Sequence, residues 1–230
     1  MSAGSQLNCF QAATCGVNTD SNDDLANMED LKSTDGRPAL TANDYLTDEE
    51  FALPVICAKL NLDAGLLPKI FPIQLTERQK HILAVTFASL RQNIAEIGVV
   101  VFMRVFEAYP YAQQIFDLLK NISQDNLVHS QALKSHAFRV VGFVEKCIAR
   151  LHRPDKLDAI LTNLGQKHRQ WKVPPGYIDL LGLQFVAAMK SCLDQQWNAE
   201  TEEAWIAMFG FITYHMKEAM KMDEQSPLPL

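Results

Sequence analysis

The sequence has no uninterrupted apolar stretch near the roughly twenty residues that a membrane span requires, so no membrane span is expected. Its first thirty residues lack the basic start and apolar run of a secretory leader, and Ser2 stands where myristoylation needs glycine. The expected location is therefore cytoplasmic. Cysteine is scarce: Cys9, Cys15, Cys57, Cys147 and Cys192 are odd in number and form neither a CxxC pair nor a zinc-ligand spacing. Cys147 and Cys192 fall on helical apolar stripes, where a thiol acts as a small hydrophobe. Cys9 and Cys15 can pair when oxidised. A net charge of −6 gives no basic surplus, and no nucleic-acid partner is expected. Strand signals are missing as well, which leaves an all-α fold.

Acidity is confined to one end of the chain. Residues 1–50 carry ten acidic side chains against Lys32 and Arg37, so residues 51–230 hold 17 acidic and 19 basic. Residues 1–43 are also rich in Ser, Thr, Asn, Gly and Asp and show no helical period. Such a segment cannot bury enough apolar surface to offset its ordering entropy. It is expected to be a disordered acidic extension, either simply solvated or a docking arm. Residues 44–74 turn apolar, and Thr47 with Glu50 has capping-box spacing ahead of Phe51. Pro54 and Pro68 limit this linker to a short pre-helix packed on the domain. Residues 75–222 form the domain proper, and the tail 223–230 is expected to be disordered.

Within the domain, Thr76 and Gln79 form a second capping-box pair, with Ile82, Val85, Phe87, Ala88 and Leu90 expected inward. The run from Gly98 to Phe106 is so continuously apolar that periodicity alone also permits a strand; its length with the flanks favours a buried helix. Pro110 starts a short helix, and 117–126 reads as a polar, mobile loop. His81 and His129 read as surface residues, His152 as a helix-end residue meeting carbonyls, and His215 as a core-edge residue. Pro174 and Pro175 open the next helix, with Tyr177, Leu181, Phe185, Ala188 and Cys192 inward. The last helix places Glu200, Glu202 and Glu203 at its start and Lys217 and Lys221 at its end, as the helix dipole favours.

Two histidines organise the centre. Leu133, Ala137, Val140, Val144, Cys147 and Leu151 recur at helical spacing, and His136 lies on that stripe. Leu157, Leu161, Leu164 and His168 fall at i, i+4, i+7 and i+11 on a second helix, started at Pro154. One histidine on an apolar stripe is usually a core residue bonded to a carbonyl. Two on successive helices, with no acid on either stripe to pair them, point instead to a shared ligand.

These residues resemble the globin family. GVVVFMRVFEAYPYAQQIF (98–116) is similar to the second globin helix running into its proline-started third. KSHAFRVVGF (134–143) is similar to the distal-histidine helix, and LTNLGQKHRQWKVPP (161–175) to the proximal-histidine helix and its corner. The resemblance covers about Leu75 to Met222 and implies seven to eight helices around a heme pocket. Phe87 departs mildly from it, since many globins carry tryptophan there. Gly98 and Ala137 match positions where two globin helices cross closely.

The resemblance implies iron protoporphyrin IX (heme b) as cofactor, with His168 the proximal ligand through one ring nitrogen. The other nitrogen would donate to a carbonyl one turn back, near Leu164. It makes His136 the distal residue and possible sixth ligand, Phe116 the ring stacked on heme, and Val140 and Phe102 walls of the ligand site. Val173, Ile178, Leu181 and Ile212 fall at further wall positions. Arg139 and Lys172 are candidates for the heme propionates, with ordinary solvated cations as the alternative.

The implied function is reversible binding of dioxygen or another diatomic gas for storage, transport or sensing, without a catalytic residue. A distal hydrogen bond to a polarised ligand is worth roughly 1.5–3 kcal/mol, on the order of ten- to a hundred-fold in affinity. The alternative is a bis-histidyl redox globin acting in electron transfer, nitrite reduction or nitric oxide dioxygenation, which needs an external reductase. A heme-free helical interaction module is a third reading, and it leaves both inward histidines without a role.

Overall fold

The computed structural model describes residues 74–91 and 93–221. The acidic extension, the pre-helix with its Thr47/Glu50 pair, the Cys9 and Cys15 pairing and the 223–230 tail lie outside the described residues. Among those described, every regular element is helical.

Helix α1 (Glu77–Leu90) starts on the expected capping box. The Thr76 hydroxyl accepts from the Gln79 N–H at 3.2 Å, and Gln79 Oε1 accepts from the Thr76 N–H at 2.9 Å. Two donors orphaned at the helix start are thereby satisfied. The apolar run forms a second helix, α2 (Ile94–Ala108), which buries Ile97, Gly98, Val101, Phe102, Val105 and Phe106. Short helices α3 (Tyr111–Gln114) and α4 (Gln124–Leu127) lead to α5 (Gln131–Ile148), which the Ser130 hydroxyl caps. Then follow α6 (Pro154–Gln170), α7 (Pro175–Leu193), a 3₁₀ turn (Asp194–Gln196) and α8 (Ala199–Lys221). Prolines at the first positions of α6 and α7 remove donors that would be orphaned there in any case.

Two glycines set how closely the helices cross. A Cβ on Gly98 of α2 would stand 2.9 Å from Val141 Cγ2, 3.0 Å from the Ala137 carbonyl oxygen and 3.1 Å from Ala137 Cβ. On α6, a Cβ on Gly165 would run into the Met216 carbonyl of α8. In each crossing the missing side chain lets one helix lie against its neighbour's backbone. The deepest large side chain is Trp205 of α8, fully buried, with its indole N–H donating to Thr86 Oγ1 at 3.1 Å.

Three expectations change. Val85 and Ala88 face outward, not inward, because Leu83, Thr86, Phe87 and Leu90 form the buried side of α1; Ile82 is only half-buried. The indole bond to Thr86 turns the helix that way. The 117–126 segment is polar and largely exposed as expected, but it is not all loop. It buries Leu119 completely, ends in α4, and is tied down by Gln113 Nε2, which donates to the Leu119 and Ile122 carbonyls at 2.7 and 2.8 Å. His152 meets Glu77 across the surface at 3.4 Å, not free helix-end carbonyls. The first turn of α8 carries Glu200 and Glu202 as expected; Glu202 is in addition buried, its carboxylate accepting from Lys190 Nζ and Trp197 Nε1, both at 2.8 Å, while Glu200 and Glu203 are exposed.

Candidate functional site

Helix α6 buries Leu157, Leu161 and Leu164 and brings His168 to the end of the same stripe. His168 Nδ1 lies 2.9 Å from the Leu164 carbonyl oxygen. A carbonyl only accepts, so Nδ1 carries the proton and Nε2 carries the ring's lone pair. The bond also fixes the rotation of the ring, as is usual for a histidine that binds metal. Trp171, one turn further on, sets its ring edge-on at 5.3 Å.

From α5, His136 enters a group of phenylalanines. Its ring centroid is 5.0 Å from Phe102 and 5.1 Å from Phe116, each at an interplanar angle of 67°. Phe106 continues the group, 5.8 Å from Phe102 and 5.7 Å from Phe116. Edge-to-face packing of this kind is favourable by about 0.5–1.5 kcal/mol per pair beyond area burial. The histidine is buried, at 8% exposure.

His136 and His168 line one cleft of about 1110 Å³, mouth included. Phe102, Phe116, Arg139 and Val140 line it as well, as do Leu164, Val173, Ile178, Leu181 and Ile212. Lys172 does not. It is exposed beyond Trp171 with a left-handed backbone at φ 55°. Sequence reasoning passed over Trp171, Phe143, Phe106, Phe209, Thr213 and Met216, which also line the cleft. Helical spacing would have found all but Thr213. Trp171 is three residues after His168, Phe143 seven after His136, Phe106 four after Phe102, and the last three flank Ile212 by three, one and four.

The donor set fits a metal that brings its own in-plane ligands. Among the described residues no group of three or more His, Cys, Asp or Glu is assembled to hold a bare ion. What the cleft offers is one imidazole with a defined tautomer, a second imidazole on another helix, and walls that are otherwise almost wholly apolar. The half-exposed Arg139 adds a cation suited to peripheral carboxylates. An iron porphyrin has that outline: flat, greasy, axially coordinated and acidic at one edge.

Fold and cleft thus define a protein that is all-helical among the described residues, with an apolar cleft lined by histidines from two helices. The globin family model matches residues 99–216. Cytoglobin-1 of Oryzias latipes is 26% identical over 145 residues, covering 62% of this chain and 82% of its relative. Anaerobic nitrite reductase HBII of Casuarina glauca is 26% identical over 149 residues, covering 64% and 92%. The solved structure of a hexacoordinated heme protein from an anhydrobiotic tardigrade superposes with a TM-score of 0.61 at 17% identity, over 64% of this chain and 96% of that one. The chain belongs to the globin family, whose cofactor is heme. Among the described residues no single helix is long and apolar enough to cross a membrane.

Proposed function

We propose that the chain holds heme b through His168 and binds dioxygen or another diatomic gas reversibly on the His136 side of the cleft. The observation that supports this reading is the 2.9 Å contact from His168 Nδ1 to the Leu164 carbonyl, which turns Nε2 and its lone pair toward the cleft side of the ring. The absence of a CxxC pair argues against covalent attachment and for heme b. When bound, heme supplies the iron that takes a diatomic ligand or exchanges an electron. The chain's own residues do the rest. His168 anchors one face. The aromatic wall of Phe102, Phe106 and Phe116 excludes water, which would otherwise compete for the open site. His136 stands on the opposite helix with an imidazole N–H to donate to a polarised ligand, and its phenylalanine packing holds it in reach. Arg139 balances the carboxylates at the cleft edge.

A second reading is a bis-histidyl redox globin, in which His136 itself occupies the sixth position and an external reductase supplies electrons. It is supported by two likenesses: one relative is described as an anaerobic nitrite reductase and one structural neighbour as hexacoordinated. The visible absorption spectrum of the reduced, ligand-free full chain separates the two. A single broad visible band supports gas binding at a vacant site. Two sharp bands support ligation by both histidines. Absence of a Soret band after incubation with hemin removes both readings.

A further inference from the structure

A single hydrogen bond does not hold a ring still. The 2.9 Å contact from His168 Nδ1 to the Leu164 carbonyl fixes one atom of the imidazole. Paired changes of the two side-chain torsions can still tilt the ring about that atom, because the outer torsion of a histidine is broad. A second contact away from Nδ1 removes this freedom, and Trp171 supplies one. The two ring centroids are 5.3 Å apart with their planes at 60°, and both rings line the same cleft.

The backbone holds the indole in place. Helix α6 ends at Gln170, and the corner that follows is tied back to its last turn. The Trp171 N–H donates to the Lys167 carbonyl at 3.0 Å, that of Lys172 to Arg169 at 2.8 Å, and that of Val173 to His168 itself at 3.0 Å. Between Trp171 and Val173, which both line the cleft, the exposed Lys172 takes a left-handed backbone at φ 55°. Such a conformation persists only where its surroundings over-determine it. Every bond of this corner is made by main chain, so the turn would form with almost any side chain at 171. What the indole adds is the ring contact. We propose that Trp171 is a positioning residue for the iron ligand. By fixing the plane of the His168 imidazole it keeps Nε2 on the iron when a gas bound on the opposite face weakens that bond. The inference rests on His168 being the ligand.

Nitric oxide tests it, because this gas weakens the iron bond trans to it and a loosely held imidazole then lets go. Electron paramagnetic resonance of the reduced, nitric-oxide-bound full chain reads the outcome, since the imidazole nitrogen splits the signal only while it is bound. The parent should show that splitting. Trp171→Ala and Trp171→Leu should shift the balance toward the unsplit signal by roughly two- to tenfold and release heme faster by a similar factor, the range for one edge-to-face aromatic contact. Trp171→Phe keeps a ring and should stay within about twofold of the parent. A tryptophan that only supports the fold would lower the urea midpoint in the Ala and Leu variants and leave the splitting intact, which would overturn the proposal. So would a parent without the splitting, or a Phe variant that behaves like Ala. His168→Ala separates the two levels of the inference. Splitting that survives in His168→Ala comes from another histidine and removes the premise, whereas splitting lost there but unchanged in Trp171→Ala overturns the role of Trp171 alone.

Discussion

Gly98 and Ala137 lie so close that a Cβ on the glycine would stand 3.0 Å from the alanine's carbonyl oxygen. Ala137 directly follows His136, so the α2–α5 crossing sets the depth at which the His136 imidazole enters the cleft. Gly98→Ala gains helix propensity of up to about 1 kcal/mol but pushes against backbone, which does not yield as a flexible side chain does. The expected net is a loss of roughly 1 kcal/mol, larger for Gly98→Val. Urea titration followed by helical circular dichroism measures it; unchanged or raised stability would show that the helices can part without cost.

Phe102 touches both Phe116 and His136 by its ring. Removing that ring in Phe102→Ala opens space beside the ligand position and releases one side of the imidazole. Faster dissociation of a bound diatomic ligand is expected, by about tenfold if roughly 1.4 kcal/mol of confinement is lost. Flash photolysis and stopped-flow mixing read the rate, with Phe102→Leu as a milder variant. An unchanged rate in both would mean that the ring does not bound the ligand site.

Lys172 adopts φ 55° in the corner between α6 and α7, where its N–H donates to the Arg169 carbonyl at 2.8 Å. A side chain there costs about 1 kcal/mol that glycine avoids. Lys172→Gly should therefore raise the unfolding free energy by on the order of 1 kcal/mol, and chemical denaturation checks it.

The Cys147 side chain is fully buried, and that burial pushes its thiol well above the usual range, against a smaller opposing pull from Arg150. The thiolate is the reactive form. Cys147 should resist iodoacetamide at pH 8 in the native protein and react once the chain is unfolded, as peptide mass spectrometry will show. Native labelling at Cys147 comparable to that at Cys192 would contradict the packing of α5.

Trp205 and Thr86 are 119 positions apart in sequence and joined by one buried hydrogen bond. Thr86→Val keeps the shape and removes the acceptor, leaving the indole N–H to bear its desolvation. The expected cost is about 1–3 kcal/mol in thermal or urea unfolding.

That same bond explains where sequence reasoning stopped short. The rotation of α1 is blurred in its own residues, because Val85 and Ala88 interrupt the exposed side while Thr86 stands on the buried one. A partner on α8 decides it. The 117–126 segment was misjudged for a similar reason: Gln113, outside the segment, supplies the donors that hold it. By contrast, the Thr76–Gln79 cap, the proline starts of α6 and α7, and the spacing around His136 and His168 depend on neighbours within two turns. Local chemistry sufficed there. Gly98 and Ala137 were legible only through family likeness, since nothing in either helix alone says that they meet.

The most direct test is a hemin titration of the full chain and of His168→Ala, followed at the Soret band and by the rate of heme transfer to an acceptor protein. The parent should saturate at one heme per chain and release it slowly. The variant should fail to saturate or lose heme at least roughly a hundredfold faster, the factor for losing a metal bond worth about 3 kcal/mol in retention. Matching saturation and release in the two proteins would contradict the assignment of His168 as the residue that holds the iron.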